Sequence, residues 1–191
     1  MKKKVLVLSL VMLLLVAVTG TLAYFTADEQ VHNIITTSGV DIALEEWQDK
    51  DMTIPYPTEP VPVMPGSVVD KVVTVKSLEE DSYIRASYDV IVYDKDLNEM
   101  DITAEQLGKM ITIQTGEDWT EKEDGVFYYK EAVGGGGVTT PLFCEVVFDG
   151  PGVTNEYQNC RFEIKVYAEA VQAANNGENA FEAAGWKAIG E

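Results

Sequence analysis

The sequence predicts an all-β fold, specifically an antiparallel β-sandwich of jelly-roll type with minor helical elements. Apolar and polar residues alternate in four short segments, which are 40–44, 84–92, 142–148 and 162–168. Such alternation is typical of strands that turn one face to the core and the other to water. Because turn-forming residues separate these segments, we expect many short strands, as in a sandwich or a jelly roll.

Clusters of proline, glycine and aspartate predict where the chain turns. Five prolines lie within 55–65, four glycines occupy 134–137, and the sequence Asp-Gly-Pro-Gly occupies 149–152. Residues of these types favour turns and loops. We interpret the run of four glycines as a flexible hairpin.

Helix is expected only as a minor element. Thr103 can cap the first turn of a helix over 103–109, with Gln106 three residues further on completing a capping box. Segment 168–174 either continues the last strand or forms a turn of helix, and its pattern does not decide between the two.

The amino terminus has the three parts of a secretory signal peptide. A basic head of three lysines precedes an apolar run over 5–18, and small residues stand at the −3 and −1 positions of a cut between Ala23 and Tyr24. Residues 1–23 are therefore predicted to be the signal peptide and residues 24–191 one jelly-roll-like domain. The alternative is an uncleaved membrane anchor, since the apolar stretch up to Ala23 just reaches the ~20 residues that a span needs.

The chain is strongly acidic, which excludes some partners. It carries 14 basic and 32 acidic residues, for a net charge of −18. Cleavage after Ala23 removes three lysines and no acid, so the mature chain carries −21. A surface of this charge repels nucleic acid and anionic membranes. We expect no nucleic-acid partner, and contact with a membrane only through the uncleaved signal.

The residue types needed for catalysis are sparse, so no catalytic residue is predicted. His32 is the only histidine, and no second imidazole or zinc-binding motif accompanies it. A catalytic zinc site normally needs further His or Cys ligands. No Gly-x-Ser-x-Gly sequence and no phosphate-binding glycine loop occurs either.

One acidic stretch partly matches a calcium-binding loop. Four residues stand at positions 1, 3, 5 and 12 of that template: Asp94, Asp96, Asn98 and Glu105. Glu99 replaces the glycine that the template needs for its sharp turn, and Asp101 replaces an apolar residue. A solvated turn between strands is the better interpretation. No cofactor is expected, and calcium is the one ion that the pattern leaves open.

The two cysteines are predicted to be buried thiols. Both share the parity of the apolar residues in their strands, so both should face the core. If segments 142–148 and 162–168 form a hairpin, Cys144 and Cys160 lie ~13 Å apart, whereas a disulfide needs Cα atoms within ~7 Å. A connection that crosses between sheets would leave a disulfide open. On strand 84–92 we expect Arg85 to be half-exposed at the surface.

The amino-terminal region resembles a known family of secreted proteins. Ala-Tyr-Phe-Thr occupies 23–26, followed by Asp28, Asn33 and, over 38–45, Ser-Gly-Val-Asp-Ile-Ala-Leu-Glu. This order resembles the start of the TasA/camelysin family of Gram-positive bacteria, whose signal peptides are cut by a SipW-type signal peptidase. Two later stretches, 63–90 and 124–143, resemble the family more loosely.

The resemblance implies a fold, a location and a function. It implies a jelly-roll domain exported to the extracellular matrix or cell surface, where it acts as a structural subunit of biofilm fibres. It also implies two partners, the SipW-type peptidase and further copies of the chain. Camelysin relatives have been classed as metallopeptidases, and this activity stays an alternative, although no metal-ligand spacing supports it. An adhesin or carbohydrate-binding domain is a further alternative.

Segment 24–37 has the character of a free strand. Four of its residues are apolar, namely Phe25, Val31, Ile34 and Ile35, and its threonines favour extended structure. It precedes the first alternating segment and has no partner close in sequence. We expect it to add as a donor strand to the sheet of the next subunit. The alternative is that it folds onto its own domain or stays disordered.

The cleavage site leads to a direct test. Amino-terminal sequencing of the secreted protein is expected to begin at Tyr24 or within a residue or two of it, because the small residues of the signal end there. A first residue of Met1 or Lys2 would show an uncleaved anchor and overturn the secretion hypothesis.

Overall fold

The computed structural model describes residues 40–186 except for 60, 62, 124, 155, 156, 158 and 159. Within these residues eight strands and one short helix form two four-stranded antiparallel sheets. The elements are β1 (Ile42–Trp47), β2 (Val68–Ser77), β3 (Ser82–Tyr93), α1 (Ala104–Met110), β4 (Ile111–Thr115), β5 (Trp119–Glu123), β6 (Val126–Tyr129), β7 (Phe143–Phe148) and β8 (Arg161–Gln172).

The two sheets pack face to face as a β-sandwich. The first sheet has the strand order β1-β2-β7-β4, and the second has the order β5-β6-β3-β8. All neighbouring strands are antiparallel. The four alternating segments of the sequence lie in β1, β3, β7 and β8, so the expectation of an all-β antiparallel sandwich is confirmed at this level.

The core between the sheets is built from the apolar positions of that alternation. Residues from both sheets contribute side chains that are at most 1% exposed: Ile42, Val73, Val75, Ile84, Ala86 and Phe143. The Tyr88 ring stacks on Phe127 with centroids 5.8 Å apart and meets Phe143 edge-on at 5.4 Å. The contact with Phe143 joins the two sheets, whereas the contact with Phe127 lies within the second sheet, and such pairs add ~1 kcal/mol beyond the burial of their area.

The longest ladder joins β3 to β8. Their register is continuous over twelve residues, from Ser82 opposite Gln172 to Tyr93 opposite Arg161. The undecided segment at 168–174 therefore continues the last strand as far as Gln172 and then leaves it in a turn. Both strands are rich in β-branched and aromatic residues, which pack well on a pleated surface.

The helix begins where the capping pattern predicts. The Thr103 hydroxyl accepts a hydrogen bond from the Gln106 N–H, and the Gln106 side chain accepts one from the Thr103 N–H at 3.0 Å. The helix ends at Met110, one residue beyond the predicted end, and Met110 is buried with Phe148 and Val153 at one end of the sandwich. Helix is thus a minor element of the described chain.

The predicted hairpin around residues 149–157 is wrong, because β7 and β8 lie in different sheets. The inward orientation of Cys144 is also wrong. The register of β7 shifts against both of its neighbours, so Phe143 and Val146 both face the core although they lie three positions apart. This irregularity breaks the alternation and leaves Cys144 half-buried.

Both cysteines are free thiols, as predicted, but neither is fully buried. Cys144 and Cys160 are half-buried, and no disulfide joins them. The Cys160 Sγ lies 3.7 Å from the Met100 Sδ. Burial raises the pKa of the Cys144 thiol, so this group is protonated at neutral pH. The predicted absence of a disulfide agrees with the structure, whereas the hairpin distance from which it was inferred does not apply.

The four-glycine segment is a crossing between sheets and not a hairpin. It connects β6 of the second sheet to β7 of the first. The Gly135 N–H donates to the Asp81 carboxylate at 3.2 Å, and an added Cβ at Gly135 would lie 2.1 Å from the Glu79 carbonyl oxygen. Glycine is needed at this position because the backbone of another segment passes directly beside it.

This close approach predicts the effect of a single methyl group. Gly135→Ala is expected to lower the free energy of unfolding by about 1–3 kcal/mol, since the backbone must shift to accept the Cβ. Gly108→Ala in α1 is the matched control, because no atom lies within 4 Å of its added Cβ. That variant should gain up to about 1 kcal/mol from helix propensity. Urea unfolding measures both, and equal midpoints would contradict the packing argument.

Candidate functional site

The residues predicted for processing and assembly lie outside the described chain. They are the cleavage residues Ala23 and Tyr24 and the donor-strand residues Phe25, Val31, Ile34 and Ile35, together with His32. The described chain begins at Val40, which is 1% exposed and leads directly into β1. The site must therefore be built from the surfaces that the described strands present.

Three of the four predicted calcium residues, Asp94, Asp96 and Asn98, form a turn that is closed by its own hydrogen bonds. Asp94 Oδ1 accepts from the backbone N–H groups of Asp96 and Asn98 at 2.8 and 2.9 Å. The Asn98 N–H holds the pKa of the Asp94 carboxyl below its ordinary value, and the Asn98 side chain adds to this effect. The Asp94 carboxylate thus accepts the hydrogen bonds that close the turn after β3. Beyond this turn Glu99 forms an antiparallel bridge with Tyr93, the last residue of β3.

The fourth member of the calcium pattern takes a different role. Glu105 lies in the first turn of α1, and its Oε1 is 2.6 Å from the Lys109 Nζ one turn later. Three of the four residues therefore share one turn, and the fourth belongs to a helical ion pair. Within the described ranges no group of three or more His, Cys, Asp or Glu side chains is arranged to hold a metal ion.

Among the residues that the structure describes, no helix is long and apolar enough to cross a membrane.

A long edge strand is the first surface relevant to assembly. Among the strands that the structure describes, β8 is the last of the second sheet, and it pairs with β3 along its full length. Strands β1 and β8, which are the outermost described strands of opposite sheets, contact each other. Edge strands present a row of backbone donors and acceptors, on which another strand can form.

A buried ion pair lies on the outer face of the second sheet, where the sequence predicted a half-exposed arginine. Arg85 is 5% exposed, so that prediction is wrong. Its Nε and Nη2 donate to Glu169 Oε2 at 2.8 and 2.7 Å, and its Nη1 donates to the Tyr128 hydroxyl at 3.0 Å. Burial alone would lower the pKa of Arg85, but the bonds to Tyr128 and Glu169 outweigh it and raise the pKa.

The chain after β8 covers this ion pair. Residues from the segment 173–186 pack on the outer face of the sheet, including Ala180, Phe181, Ala183 and Trp186. The Trp186 ring lies 4.9 Å from the Arg85 Cζ, and its Nε1 donates to the Ala180 carbonyl at 3.3 Å. A cation over an indole face is favourable, and more so without water. No sequence pattern indicated that segment 173–186 would cover Arg85, because this segment lacks any regular apolar period.

A second buried cation lies on the first sheet. The Lys71 Nζ is 2.6 Å from Glu46 Oε2 and 3.9 Å from the centroid of the Tyr56 ring. Burial lowers the pKa of Lys71, and the attraction of Glu46 only partly opposes this. The pair ties β1 to β2, since Glu46 and Lys71 belong to these two neighbouring strands. Lys71 therefore stabilises the edge strand of its sheet.

The ion pair on the second sheet predicts a large loss when one partner is removed. Arg85→Met leaves Glu169, whose side chain is 8% exposed, without a counter-charge, and we expect a loss of about 3–5 kcal/mol in unfolding free energy. The double variant Arg85→Met with Glu169→Leu should recover most of this loss, because the uncompensated charge is gone. Urea unfolding measures all three proteins.

The matched control for this prediction is Arg161→Met. Arg161 pairs with Glu163 at 3.5 Å, but the two side chains are 44% and 29% exposed. An exposed pair contributes little, so this variant should unfold like the original chain. An Arg85→Met variant as stable as Arg161→Met would show that the buried pair does not support the fold.

The chain was compared with models of protein families, with curated proteins and with solved structures, and none of the three comparisons finds a match.

Proposed function

We propose that the protein is a secreted structural subunit of extracellular matrix fibres or of the cell surface, and that it assembles by strand addition. The observation that carries the proposal is the position of β8, which is the last described strand of the second sheet and contacts β1, the first described strand. The resemblance of residues 23–45 to the TasA/camelysin family supports the same function.

The order of the strands supports a jelly roll with exchanged edge strands. A jelly roll winds eight strands through two sheets as two Greek keys. That winding makes β2, β7 and β4 neighbours in one sheet and β8, β3 and β6 neighbours in the other. The same two triplets occur here, whereas β1 pairs with β2 and β5 pairs with β6. In the regular arrangement the first strand would pair with β8, so this pairing position is the one that a donated strand would take.

The donor is long enough for the acceptor. Segment 24–37 has fourteen residues and spans ~46 Å when extended, while residues 161–169 of β8 span ~30 Å. In the ladder between β3 and β8, residues of the same parity lie opposite each other. The even-numbered residues Phe162, Ile164 and Val166 of β8 turn their apolar side chains to the core side. A donated strand with alternating apolar residues would extend that apolar face.

One contact of this kind, repeated, builds a filament. The donor surface and the acceptor surface are different parts of the chain, so the contact is heterologous and does not close on itself as a two-fold dimer does. Cleavage between Ala23 and Tyr24 by a SipW-type signal peptidase would release the donor from the membrane. Export and processing then precede assembly, which places the fibre outside the cell.

The net charge makes assembly sensitive to salt. Mature subunits of charge −21 repel one another, and the Debye length falls from ~30 Å at 0.01 M salt to ~8 Å at 0.15 M. Main-chain hydrogen bonds of an added strand do not depend on this screening. Salt should therefore speed fibre growth without being needed to hold a fibre together.

Removal of the donor segment tests the proposal. Residues 24–191 are expected to form filaments visible by electron microscopy and to sediment as large species. Residues 38–191 should stay monomeric, because they keep the acceptor edge but lack the donor. Filaments formed as readily by the shorter chain would contradict strand donation from this end.

A pair of point variants separates strand donation from a general effect of truncation. Val31→Lys with Ile35→Lys should abolish filaments, since residues of the same parity share one face of a strand and both charges would enter its apolar face. The matched control, Thr26→Lys with Thr36→Lys, makes the same change of charge at polar positions of the same segment. It should leave filaments intact or promote them by lowering the negative charge.

A further inference from the structure

A gap interrupts the ladder of β3 on the side away from β8. On this side β3 pairs with β6 only from Arg85 to Ser87. Pairing resumes at Val92, whose carbonyl accepts from the Met100 N–H at 2.8 Å. Between these points lie residues 88–91, a stretch of ~13 Å at ~3.3 Å per residue. Within the described residues no strand of the sheet is paired with β3 along this stretch.

The direction of the backbone groups in the gap follows from the neighbouring hydrogen bonds. Along a strand, the N–H and C=O of one residue point to the same side and those of the next residue point to the other side. Ser82 exchanges two backbone bonds with Val133, and Val92 bonds to Met100, both on the side away from β8. The residues of the same parity between them, Tyr88 and Val90, therefore direct their backbone donors and acceptors into the gap.

A cleft of about 320 Å³ opens at this gap. It is lined by Val90, Ile91, Val92, Glu99, Met100, Asp101 and Ile102. The floor is apolar, since Val90 and Ile102 pack against the cluster of buried residues at that end of the sandwich. A volume of this size lies in the range of ligand-binding clefts.

The rim of the cleft is negatively charged. Glu99 and Asp101 are exposed, and no lysine or arginine of the described chain lies within ion-pair distance of either. Asp94 and Asp96 of the nearby turn add negative charge, and Lys95, which pairs with Asp96 at 3.5 Å, offsets one of the two. A cleft with an apolar floor and acidic rim favours an occupant with alternating apolar and basic side chains.

We infer that this cleft is a docking site for a short cationic segment of another protein, bound in extended form. The segment pairs its backbone with Tyr88 and Val90 and so fills the gap in the second sheet, as in binding by β-augmentation. Its apolar side chain packs on Met100 and Ile102, and its flanking lysine or arginine residues lie beside Glu99 and Asp101. The site is separate from the β8 edge, which lies on the opposite side of β3.

Charge selects this occupant over a second copy of the chain. A second copy carries −21 after cleavage, and the one segment proposed as a free strand, 24–37, contains Asp28 and Glu29. Bringing these carboxylates to Glu99 and Asp101 would place like charges side by side, which opposes binding. A basic partner in the extracellular matrix has the complementary charge.

The test uses mature protein and a fluorescent four-residue peptide of alternating lysine and valine, which matches the length of the gap. Fluorescence anisotropy is expected to show saturable binding. The same peptide with N-methyl groups on all of its backbone nitrogens should bind at least about tenfold more weakly, since it has the same charge but lacks the backbone donors. Equal binding of the two peptides would overturn the proposal, because it would leave only charge attraction.

Protein variants locate the site. Glu99→Gln with Asp101→Asn is expected to weaken binding about tenfold or more. The matched control, Glu117→Gln with Glu131→Gln, removes the same charge from two other exposed acids. If the control weakens binding as much as the first variant does, the peptide binds the acidic surface in general and the site is refuted. Circular dichroism is the measurement that checks whether both variants are folded.

Two further measurements decide the mode of binding and the occupant. Amide hydrogen exchange at Tyr88 and Val90 should slow when the peptide is bound, since their N–H groups become hydrogen-bonded. Unchanged exchange there would exclude augmentation. An unlabelled peptide of residues 24–37 should not compete with the cationic peptide. If it competes more strongly than the unlabelled cationic peptide, the natural occupant is another copy of the chain and the cationic assignment is wrong.

Discussion

The register between β3 and β8 is the constraint on which the rest of the structure depends. Twelve consecutive pairs join these strands, and the register places Arg85 directly opposite Glu169 on the outer face. On the inner face, Ile84 and Ala86 lie opposite small residues of β8 and pack into the core. A slip of one residue would turn every side chain of a strand to the other face. Such a slip would move a charge into the core, so the ion pair and the core specify the same register.

The charges of this acidic chain are divided between the interior and the surface. Arg85 and Lys71 are each less than 10% exposed and each has a carboxylate partner. Because each of these two basic groups is neutralised by its own carboxylate, the pairs leave the net charge of the remaining groups unchanged. The excess of acids over bases therefore falls on the surface, where like charges oppose the approach of another copy. An association that depends on main-chain hydrogen bonds can still form under these conditions.

The second sheet offers backbone groups in two places, which differ in length and surroundings. Strand β8 is twelve residues long, is the last described strand of its sheet and contacts β1. The gap in β3 is four residues long, has an apolar floor and is bordered by acids. A long edge suits repeated assembly of one chain, whereas a short bordered gap suits a partner that is chosen by charge. The proposed strand addition and the proposed partner binding therefore use different surfaces.

The sequence by itself determined the fold class, the main strands, the capped helix and the acidic surface. These properties follow from local rules, namely the alternation along a strand, the Thr103 and Gln106 capping box, and composition. Tertiary structure alone decided which sheet each strand joins, so the hairpin inferred between β7 and β8 was wrong. It also decided the irregular register of β7 that turns Cys144 away from the core, and the burial of Arg85. Each of these outcomes depends on segments that are far apart in the chain. Segment 173–186 covers Arg85, and the neighbouring strands β2 and β4 set the register of β7. No local pattern records such contacts.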